Sequence, residues 1–239
     1  MKKKLLLKPV KPEEKKMKIK KILIAGAVAL ASTFVFAQNI TTASSYFKSV
    51  SEYYASLKTY EADFDLEQGK QEMAGHFSYK APDLLRLDFS NPQEQVFCYS
   101  SNMLTIYLPG SAAVLQQSVS SDSSGASLAT AQGLNLMNRY YTVAYENSQD
   151  PEPLDADSDE MVYKLVLYKR STAEAFKTIR LCISVDTKLI RRVEATPNVG
   201  DPIVMNFFDY KLNPEISDQR FIYDAPSSAN NYNNFLFSE

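Results

Sequence analysis

Residues 60–90 have the sequence YEADFDLEQGKQEMAGHFSYKAPDLLRLDFS, in which apolar and polar side chains alternate in three runs. Gly69 and the tripeptide Ala81-Pro82-Asp83 separate the runs, and both are typical of turns. Alternation with a period of two predicts β-strands that have one apolar and one polar face. Because connections this short join antiparallel neighbours, the stretch predicts a three-stranded meander.

The same pattern recurs further along the chain. In all, it predicts strands at residues 60–68, 73–80, 84–90, 94–100, 103–108, 112–118, 161–169, 176–186, 189–196 and 203–210. The Ser-rich residues 118–127 and the acidic residues 148–160 are interpreted as loops, and the tail 213–239 as irregular.

Two segments favour helices instead. Residues 41–58 carry apolar side chains at steps of three and four, and Thr41 or Thr42 can cap the start. Residues 128–141 show few strand signals and have apolar side chains at helical spacing. The prediction is one mainly β domain, an open or half-closed antiparallel sheet of about ten strands with an N-terminal and a mid-chain helix.

The two faces of the predicted strands differ in polarity. Leu85, Leu87 and Phe89 share one parity, opposite Arg86 and Asp88. On later strands the apolar parity holds Leu165, Leu167, Ile179, Leu181 and Ile183. Such a sheet either wraps around an apolar interior or packs as an ordinary core, and alternation alone favours the ordinary core. The 15 Tyr and 13 Phe residues, however, exceed what two short helices can cover, which indicates an apolar ligand or a partner surface.

The N-terminal segment has the features of an export signal. Residues 17–21 (MKIKK) are basic, residues 22–37 are uncharged and mostly apolar, and Val35-Phe36-Ala37 fits the site that signal peptidase cleaves. We therefore expect a signal peptide at 1–37, cleaved after Ala37, and a single domain at 38–239. Met17 is favoured over Met1 as the start. A retained membrane anchor is the alternative, although the apolar run is shorter than the ~20 residues of a spanning helix.

The chain that follows the predicted signal is acidic. Without residues 1–37 it keeps 16 basic and 26 acidic residues, a formal charge of −10. A charge of this sign argues against nucleic acid as a partner and is repelled by anionic bilayers. Cys98 and Cys182 lie in strand-like segments, where they either form a disulfide or remain as two buried thiols.

Residues that could carry catalysis are sparse. His76 is the only histidine in the sequence, so a His-rich metal site is excluded. A nucleophilic triad would have to use His76 as its base, and His76 lies on a predicted strand. The sequence contains no G-x-S-x-G motif, P-loop, dinucleotide-binding fingerprint or Trp. It therefore predicts a binding protein rather than an enzyme, with no catalytic residue, metal or cofactor.

Several short motifs follow one another along the chain. They are Leu57-x-x-Tyr60-x-Ala62-x-Phe64, Gly75-x-Phe77-x-Tyr79-x-x-Pro82-x-x-Leu85-Arg86, Asn91-Pro92, Leu104-x-Ile106-Tyr107-x-Pro109, Val114-x-Gln116-Gln117, Asn213-Pro214 and Phe221-x-Tyr223-x-x-Pro226. In this order they resemble the LolA family, the periplasmic lipoprotein carriers of bacteria with two membranes.

The resemblance implies an incomplete antiparallel β-barrel of about 10–11 strands whose apolar face is closed by helices that act as a lid. It also implies a periplasmic chaperone that receives acylated lipoproteins from an ABC transporter in the inner membrane and carries them to the outer membrane. We expect a monomer. Whether a separate outer-membrane acceptor exists stays open.

Residues on the apolar strand faces are the candidates for the lining of the lipid-binding cavity. They are Phe64, Phe77, Tyr79, Leu85, Leu87, Phe89, Leu104, Ile106, Leu165, Leu167, Ile179, Leu181, Ile183, Met205 and Phe207. In the mid-chain helix, Leu128, Leu134 and Met137 are the candidates for the lid.

One position departs from the family pattern. Many carriers have an Arg directly before the proline of the Pro82 motif, where it holds the lid shut, and this chain has Ala81. How the lid is locked is therefore open, as is the strand parity that faces the cavity. The alternatives to a lipoprotein carrier are a half-barrel sensor domain and a carrier of free lipids or glycolipids in the envelope.

Processing provides the first test. Because residues 22–37 are apolar but too short to span a bilayer, the exported protein is expected to begin at Gln38. N-terminal sequencing and the intact mass of protein from the envelope fraction measure this. A membrane-bound form that retains residues 22–37 would show that the segment is an anchor.

Overall fold

The computed structural model describes residues 41–100, 102–118 and 131–235. These contain two α-helices and thirteen strands: α1 (Ala43–Ser56), β1 (Thr59–Gln68), β2 (Gln71–Lys80), β3 (Leu84–Asn91), β4 (Val96–Ser100), β5 (Met103–Leu108), β6 (Ala113–Ser118), α2 (Ala131–Tyr140), β7 (Tyr141–Tyr145), β8 (Glu152–Pro153), β9 (Met161–Lys169), β10 (Phe176–Ser184), β11 (Ile190–Pro197), β12 (Ile203–Leu212) and β13 (Asn230–Asn233). Short 3₁₀ turns lie at Pro109–Ser111 and Asp218–Phe221. The predicted signal peptide and Leu128 lie outside the described residues.

All thirteen strands belong to one open sheet. Its order is β13-β6-β5-β4-β3-β2-β1-β12-β11-β10-β9-β7, with β8 beside β7 on the same edge of β9. Every pair is antiparallel except β13, which runs parallel to β6. In the described part of the chain the two outermost strands, β13 and β7, do not pair, so the barrel is incomplete. The predicted fold class, a mainly β half-barrel with two helices, is confirmed.

Three strands differ from the prediction. Tyr141, predicted as the end of the mid-chain helix, and residues 142–145, for which no element was predicted, form β7, because α2 ends at Tyr140 and the next residues pair with β9. The two-residue strand β8 lies inside the predicted acidic loop. In the tail, β13 forms through main-chain bonds alone, such as Asn230 N–H to the Ala112 carbonyl at 2.8 Å. Its side chains Asn-Asn-Tyr-Asn carry no strand pattern.

The sheet has an inner face, which we define as the face that carries Phe64, Phe77, Phe89, Leu165 and Leu181. These side chains belong to one hydrophobic core that also includes residues of α1 and α2. The parity predicted from alternation is therefore correct for β3, whose odd-numbered residues pack against this core.

The opposite, outer face is polar in the centre of the sheet but apolar over β4–β6. There Val96, Cys98, Tyr107 and Val114 form a second buried cluster, on which Tyr223 of the C-terminal segment packs. Arg86 anchors this segment because its guanidinium donates to the Arg220 carbonyl at 2.9 Å.

Cys98 and Cys182 are both buried and both free. They lie on β4 and β10, and β3, β2, β1, β12 and β11 lie between those two strands. The disulfide alternative is therefore wrong, and burial raises the pKa of both thiols.

Helix α1 crosses one end of the sheet. The Thr42 hydroxyl caps its start by accepting a hydrogen bond from Ser45 N–H at 3.1 Å. From there the chain contacts three strands at the same end: Tyr145 of β7 donates to the Thr41 carbonyl, the Tyr46 ring packs on Tyr163 of β9, and Tyr54 reaches Ile190 of β11. We call this the α1 end of the sheet.

Gly75 on β2 allows β3 to approach closely. A Cβ atom at this position would lie 2.3 Å from the Asp88 carbonyl oxygen and 2.9 Å from the Phe64 ring. We expect Gly75→Ala to lower the free energy of unfolding by about 3 kcal/mol, because the strand must shift to relieve the clash. Chemical denaturation followed by circular dichroism measures the change.

Gly110→Ala is the matched control, since a Cβ there meets no atom within 4 Å. It should stay within about 1 kcal/mol of wild type. Equal stability of the two variants would contradict the close approach at Gly75.

Candidate functional site

A cavity of about 210 Å³ lies between the two helices and the inner face of the sheet. It is lined by Tyr54, Tyr60, Phe77, Leu134, Met137, Phe176, Ile179, Leu181, Ile190, Val193, Ala195, Ile203, Met205, Phe207 and Tyr210. The only side-chain oxygens in this set are the three tyrosine hydroxyls. A cavity of this composition binds apolar groups and has no counter-charge for an ion.

Strands β11 and β12 form one wall of the cavity because their inward residues pair across the ladder. Val193 lies opposite Met205, and Ala195 opposite Ile203. From the other side α2 contributes Leu134 and Met137, three positions apart and so on one face of the helix. Alternation on the strands and helical spacing on α2 thus produce a cavity lined from both sides.

At the α1 end the cavity is closed by two tyrosines that form hydrogen bonds with the main chain of Ile190. The Tyr54 hydroxyl accepts a hydrogen bond from Ile190 N–H at 2.9 Å, and the Tyr210 hydroxyl donates to the Ile190 carbonyl at 2.7 Å. Burial raises the pKa of Tyr54 to about 12 and the pKa of Tyr60 and Tyr210 well above the usual value of 10. The three phenols therefore stay neutral at physiological pH, and the closed end carries no charge.

The lining reaches the opposite end of the sheet through Phe176, at the start of β10, and Ile203, at the start of β12. Both residues are half-buried, as are Met205, Phe207 and Tyr210 along β12, whereas Tyr54, Tyr60 and Ile190 are buried.

The structure brings together some of the residues that the sequence predicts for this site. Phe77, Ile179, Leu181, Met205 and Phe207 line the cavity, together with the lid candidates Leu134 and Met137. Whether they contact a ligand stays a prediction.

The remaining candidates share the inner face but lie away from this cavity. They are Phe64, Tyr79, Leu85, Leu87, Phe89, Leu104, Ile106, Leu165, Leu167 and Ile183. Phe64, Leu165, Leu167 and Ile183 are fully buried in the packed core, while Leu85, Leu87, Leu104 and Ile106 are half-buried. Alternation identifies the face of a strand but not the position along the sheet at which the helices leave a space.

Eight lining residues are absent from the sequence prediction: Tyr54, Tyr60, Phe176, Ile190, Val193, Ala195, Ile203 and Tyr210. Val193, Ala195 and Ile203 could have been found, because they have the parity of Leu181 and Met205 in the predicted strands. Tyr54 had no such signal, since its role depends on the point at which α1 crosses the sheet.

The described strands carry paired polar and charged side chains on the outer face. His76 Nδ1 lies 2.6 Å from Asp63 Oδ1, on the side of β2 that faces away from the cavity. Over β9–β11 a polar pocket is bordered by paired charges, such as Arg180 with Glu194 at 2.6 Å. In residues 41–100, 102–118 and 131–235, no group of three His, Cys, Asp or Glu side chains is placed to hold a metal ion. None of the helices described is both long and apolar enough to cross a membrane.

The comparisons with known proteins agree with this architecture. The family model for "Outer membrane lipoprotein carrier protein LolA" matches residues 55–224. No curated protein sequence matches the chain significantly.

Solved structures resemble the chain at low sequence identity. A conserved protein of Thermus thermophilus, described as uncharacterized, is 14% identical, with a TM-score of 0.51 over 78% of this chain and 96% of its own. The LolA superfamily protein NE2245 of Nitrosomonas europaea is 13% identical, with a TM-score of 0.38 over 76% and 98% of the two chains. MucB, in the Pseudomonas aeruginosa MucA/MucB complex, is 11% identical, with a TM-score of 0.47 over 76% of this chain and 61% of its own.

The hydroxyl of Tyr54 gives a test of how the closed end is held. Tyr54→Phe keeps the ring but leaves the buried Ile190 N–H without its acceptor, so the free energy of unfolding should fall by about 1–3 kcal/mol. Urea denaturation measures this fall. Because the pKa of Tyr54 is higher in the folded than in the unfolded chain, its contribution is present below pH 10 and is lost as pH rises towards 12.

Wild type should therefore lose more stability than Tyr54→Phe between pH 10 and 12. Tyr168→Phe is the control, since Tyr168 is half exposed on the outer face of β9. If both variants matched wild type, the Tyr54 hydroxyl would not hold α1.

Proposed function

This chain belongs to the LolA family, and we propose that it is a periplasmic carrier that binds the acyl chains of lipoproteins in the cavity between its helices and its sheet. The observation that carries this proposal is the composition of the cavity, whose lining offers only apolar groups and neutral, buried phenols. An acyl chain fits such a lining, while a sugar, nucleotide or metal would leave its polar groups unpaired. We propose that the role is binding and not catalysis.

The volume of the cavity limits what it holds in its resting state. An engineered cavity of ~150 Å³ accommodates benzene, so about 210 Å³ corresponds to only part of a long acyl chain. A complete chain must therefore displace α1 or α2, or extend over the half-buried inner-face residues beyond the cavity, such as Leu85, Leu87 and Ile106.

Displacement of the helices has a functional consequence. Full transfer of a sixteen-carbon chain from water is worth on the order of 12 kcal/mol at ~0.8 kcal/mol per CH₂. Three such chains would exceed the ~20 kcal/mol at which non-covalent affinity saturates, and a carrier bound that tightly would not release its cargo. The free energy needed to move the helices opposes binding and so keeps release feasible.

The hydrogen bonds that attach α1 to the sheet are weak enough to permit such movement. Ala81 lies at the turn between β2 and β3, where its N–H donates to the Lys58 carbonyl just beyond α1, and its methyl group offers no side-chain bond. We propose that Tyr54, through its bond to Ile190, takes the place of the Arg that many relatives have at position 81. A single neutral hydrogen bond is a weak lock, worth about 1 kcal/mol net.

Family membership and the apolar cavity also support the partners that we propose. These are a lipoprotein-releasing ABC transporter at the inner membrane as the donor and an acceptor at the outer membrane. The second candidate function is transport of free lipid, which the small resting cavity favours because one chain demands less displacement than three.

Val193 and Thr196 allow a matched test on one strand. Both are β-branched and half-buried on β11, but Val193 lines the cavity and Thr196 lies on the outer face. Val193→Glu places a charge against the acyl chains and should weaken binding of a fluorescent fatty acid at least tenfold, whereas Thr196→Glu should leave it unchanged. Titrations use the full chain, purified from the envelope fraction.

Mass spectrometry of co-purified material distinguishes the two candidate functions. Acylated proteins on wild type and on Thr196→Glu, but not on Val193→Glu, would support the lipoprotein carrier. Free lipid alone would favour the second candidate. Equal loss of fatty-acid binding in both variants, or none in wild type, would contradict the assignment of this cavity.

A further inference from the structure

Four basic residues gather at the end of the sheet opposite the α1 end. Arg139 lies in the last turn of α2, Lys169 ends β9, Arg170 follows it, and Lys177 is the second residue of β10. Main-chain pairing holds these segments together: Arg170 N–H donates to the Tyr140 carbonyl at 3.0 Å, and Lys169 lies opposite Tyr141 in the β7–β9 ladder. We call these four residues the basic end.

The charges of the basic end are not neutralised within the described part of the chain. Arg139 stacks on the Tyr140 ring, and Lys169 Nζ donates to the neutral Asn198 amide oxygen at 2.6 Å. None of the four forms an ion pair with a described carboxylate, although Glu174 lies in the intervening loop.

Elsewhere on the sheet arginines behave differently. Arg86, Arg180, Arg191 and Arg192 each lie within 3.0 Å of a carboxylate oxygen. In the neighbouring β11–β12 turn the acid is Asp201, and its carboxylate points towards Gly69 in the β1–β2 turn. The basic end therefore presents a local positive charge on a chain whose net charge after residue 37 is −10.

Exposed apolar side chains accompany these cations. Val199, in the turn between β11 and β12, is 90% exposed, and Gly200 beside it has open space around it. Tyr168, next to Lys169, is 50% exposed. An aliphatic residue at a loop tip, an aromatic ring and several Lys or Arg residues form the combination by which proteins bind the interface of a bilayer.

One end of the cavity lining lies beside these cations. Phe176, which lines the cavity and is half-buried, directly precedes Lys177, and Met137 lies two residues before Arg139. A membrane in contact with the basic end would face this end of the cavity, and an acyl chain that entered past Phe176 would pass between bilayer and cavity with little exposure to water.

We propose that the basic end, with Val199 and Tyr168, docks the protein on the surface of a bilayer that contains anionic phospholipids. The acidic remainder of the chain is repelled by the same surface, so the two effects together orient the Phe176 end of the cavity towards the membrane. That this orientation serves the loading and unloading of acyl chains rests on the proposed function. The docking itself depends only on the surface.

Vesicle sedimentation with the full chain tests the docking. Wild type should bind vesicles of phosphatidylglycerol and phosphatidylcholine, and should not bind vesicles of phosphatidylcholine alone. The triple variant Arg139→Gln, Arg170→Gln, Lys177→Gln should lose about fivefold in partitioning for each cation, on the order of 100-fold in total at low salt.

A second triple variant, Lys58→Gln, Lys188→Gln, Lys211→Gln, removes the same charge from the α1 end. These lysines are also exposed, but acids lie nearby: Asp186 is in the same turn as Lys188, and Glu61 pairs across the ladder with Lys211. Because these positions lie at the end that faces away from the membrane, this variant should bind anionic vesicles within about twofold of wild type. Equal losses in the two triple variants, or equal binding of wild type to both kinds of vesicle, would overturn the proposal.

The chain contains no Trp, so a single introduced Trp reports on insertion. Emission of Val199→Trp should shift to shorter wavelength on anionic vesicles, while Leu212→Trp, at the α1 end and 40% exposed, should not shift. An unshifted Val199→Trp would overturn insertion at this turn.

Fatty-acid titration in the absence of vesicles separates this proposal from the proposed function. Both triple variants should keep wild-type affinity, because their substitutions lie outside the cavity lining. If wild type bound no fatty acid but still bound anionic vesicles through the basic end, the proposed function would fail and the docking surface would stand. If it bound fatty acid but no vesicle, only the docking would fail.

Discussion

In the described part of the chain, two helices of 14 and 10 residues lie over the inner face of a sheet of thirteen strands. Apolar area left in water is unfavourable at roughly 25 cal/mol per Å², so the helices pack where they bury the most. Phe47 and Val50 of α1 and Leu134 of α2 are almost completely buried, and under them lie Leu165, Leu167 and Ile183. Beyond the reach of the helices the inner face remains incompletely covered. The cavity along β11 and β12 and the half-buried leucines of β3 are both consequences of that mismatch in area.

Polar groups inside this apolar region are few, and the two hydroxyls that close the cavity have hydrogen-bond partners. Tyr54 and Tyr210 close the cavity by bonding to the N–H and the carbonyl of Ile190, which lies at the first position of β11. A buried main-chain group without a partner costs about as much as a lost hydrogen bond, so the two phenols stabilise the strand end while they fix α1. The hydrogen bond between Tyr54 and Ile190 therefore links the stability of the domain to the position of α1, the helix that a ligand must displace.

The two ends of the sheet differ in every property that concerns a ligand. At the α1 end the helix, the buried Tyr54 and Tyr60 and the start of β11 exclude solvent. At the other end Phe176 and Ile203 are half-buried, the four cations form no ion pair with a described carboxylate, and Val199 projects into solvent. The net charge of −10 that follows from the sequence does not show how charge is distributed between the two ends. Residues distant in the sequence, such as Arg139 and Lys177, become neighbours only through the pairing of β7, β9 and β10.

Strand and helix positions followed from local patterns, because period-two alternation and helical spacing depend on neighbouring residues alone. The mainly β class, the inner parity of Leu85, Leu87 and Phe89, and the cap at Thr42 could therefore be predicted. The strand β13 could not, since it forms by main-chain hydrogen bonds to β6, and its Asn-rich side chains carry no strand signal. The strand β7 did carry a signal, because Tyr141, Val143 and Tyr145 share one parity and Tyr, Thr and Val favour strands. The same distinction applies to the site. Leu165 and Leu181 have identical patterns, yet one lies in the packed core and the other lines the cavity. The positions at which α1 and α2 cross the sheet determine which inward side chains face a space. Those positions depend on how the two helices pack against the whole apolar face, so the pattern of a single strand does not contain them.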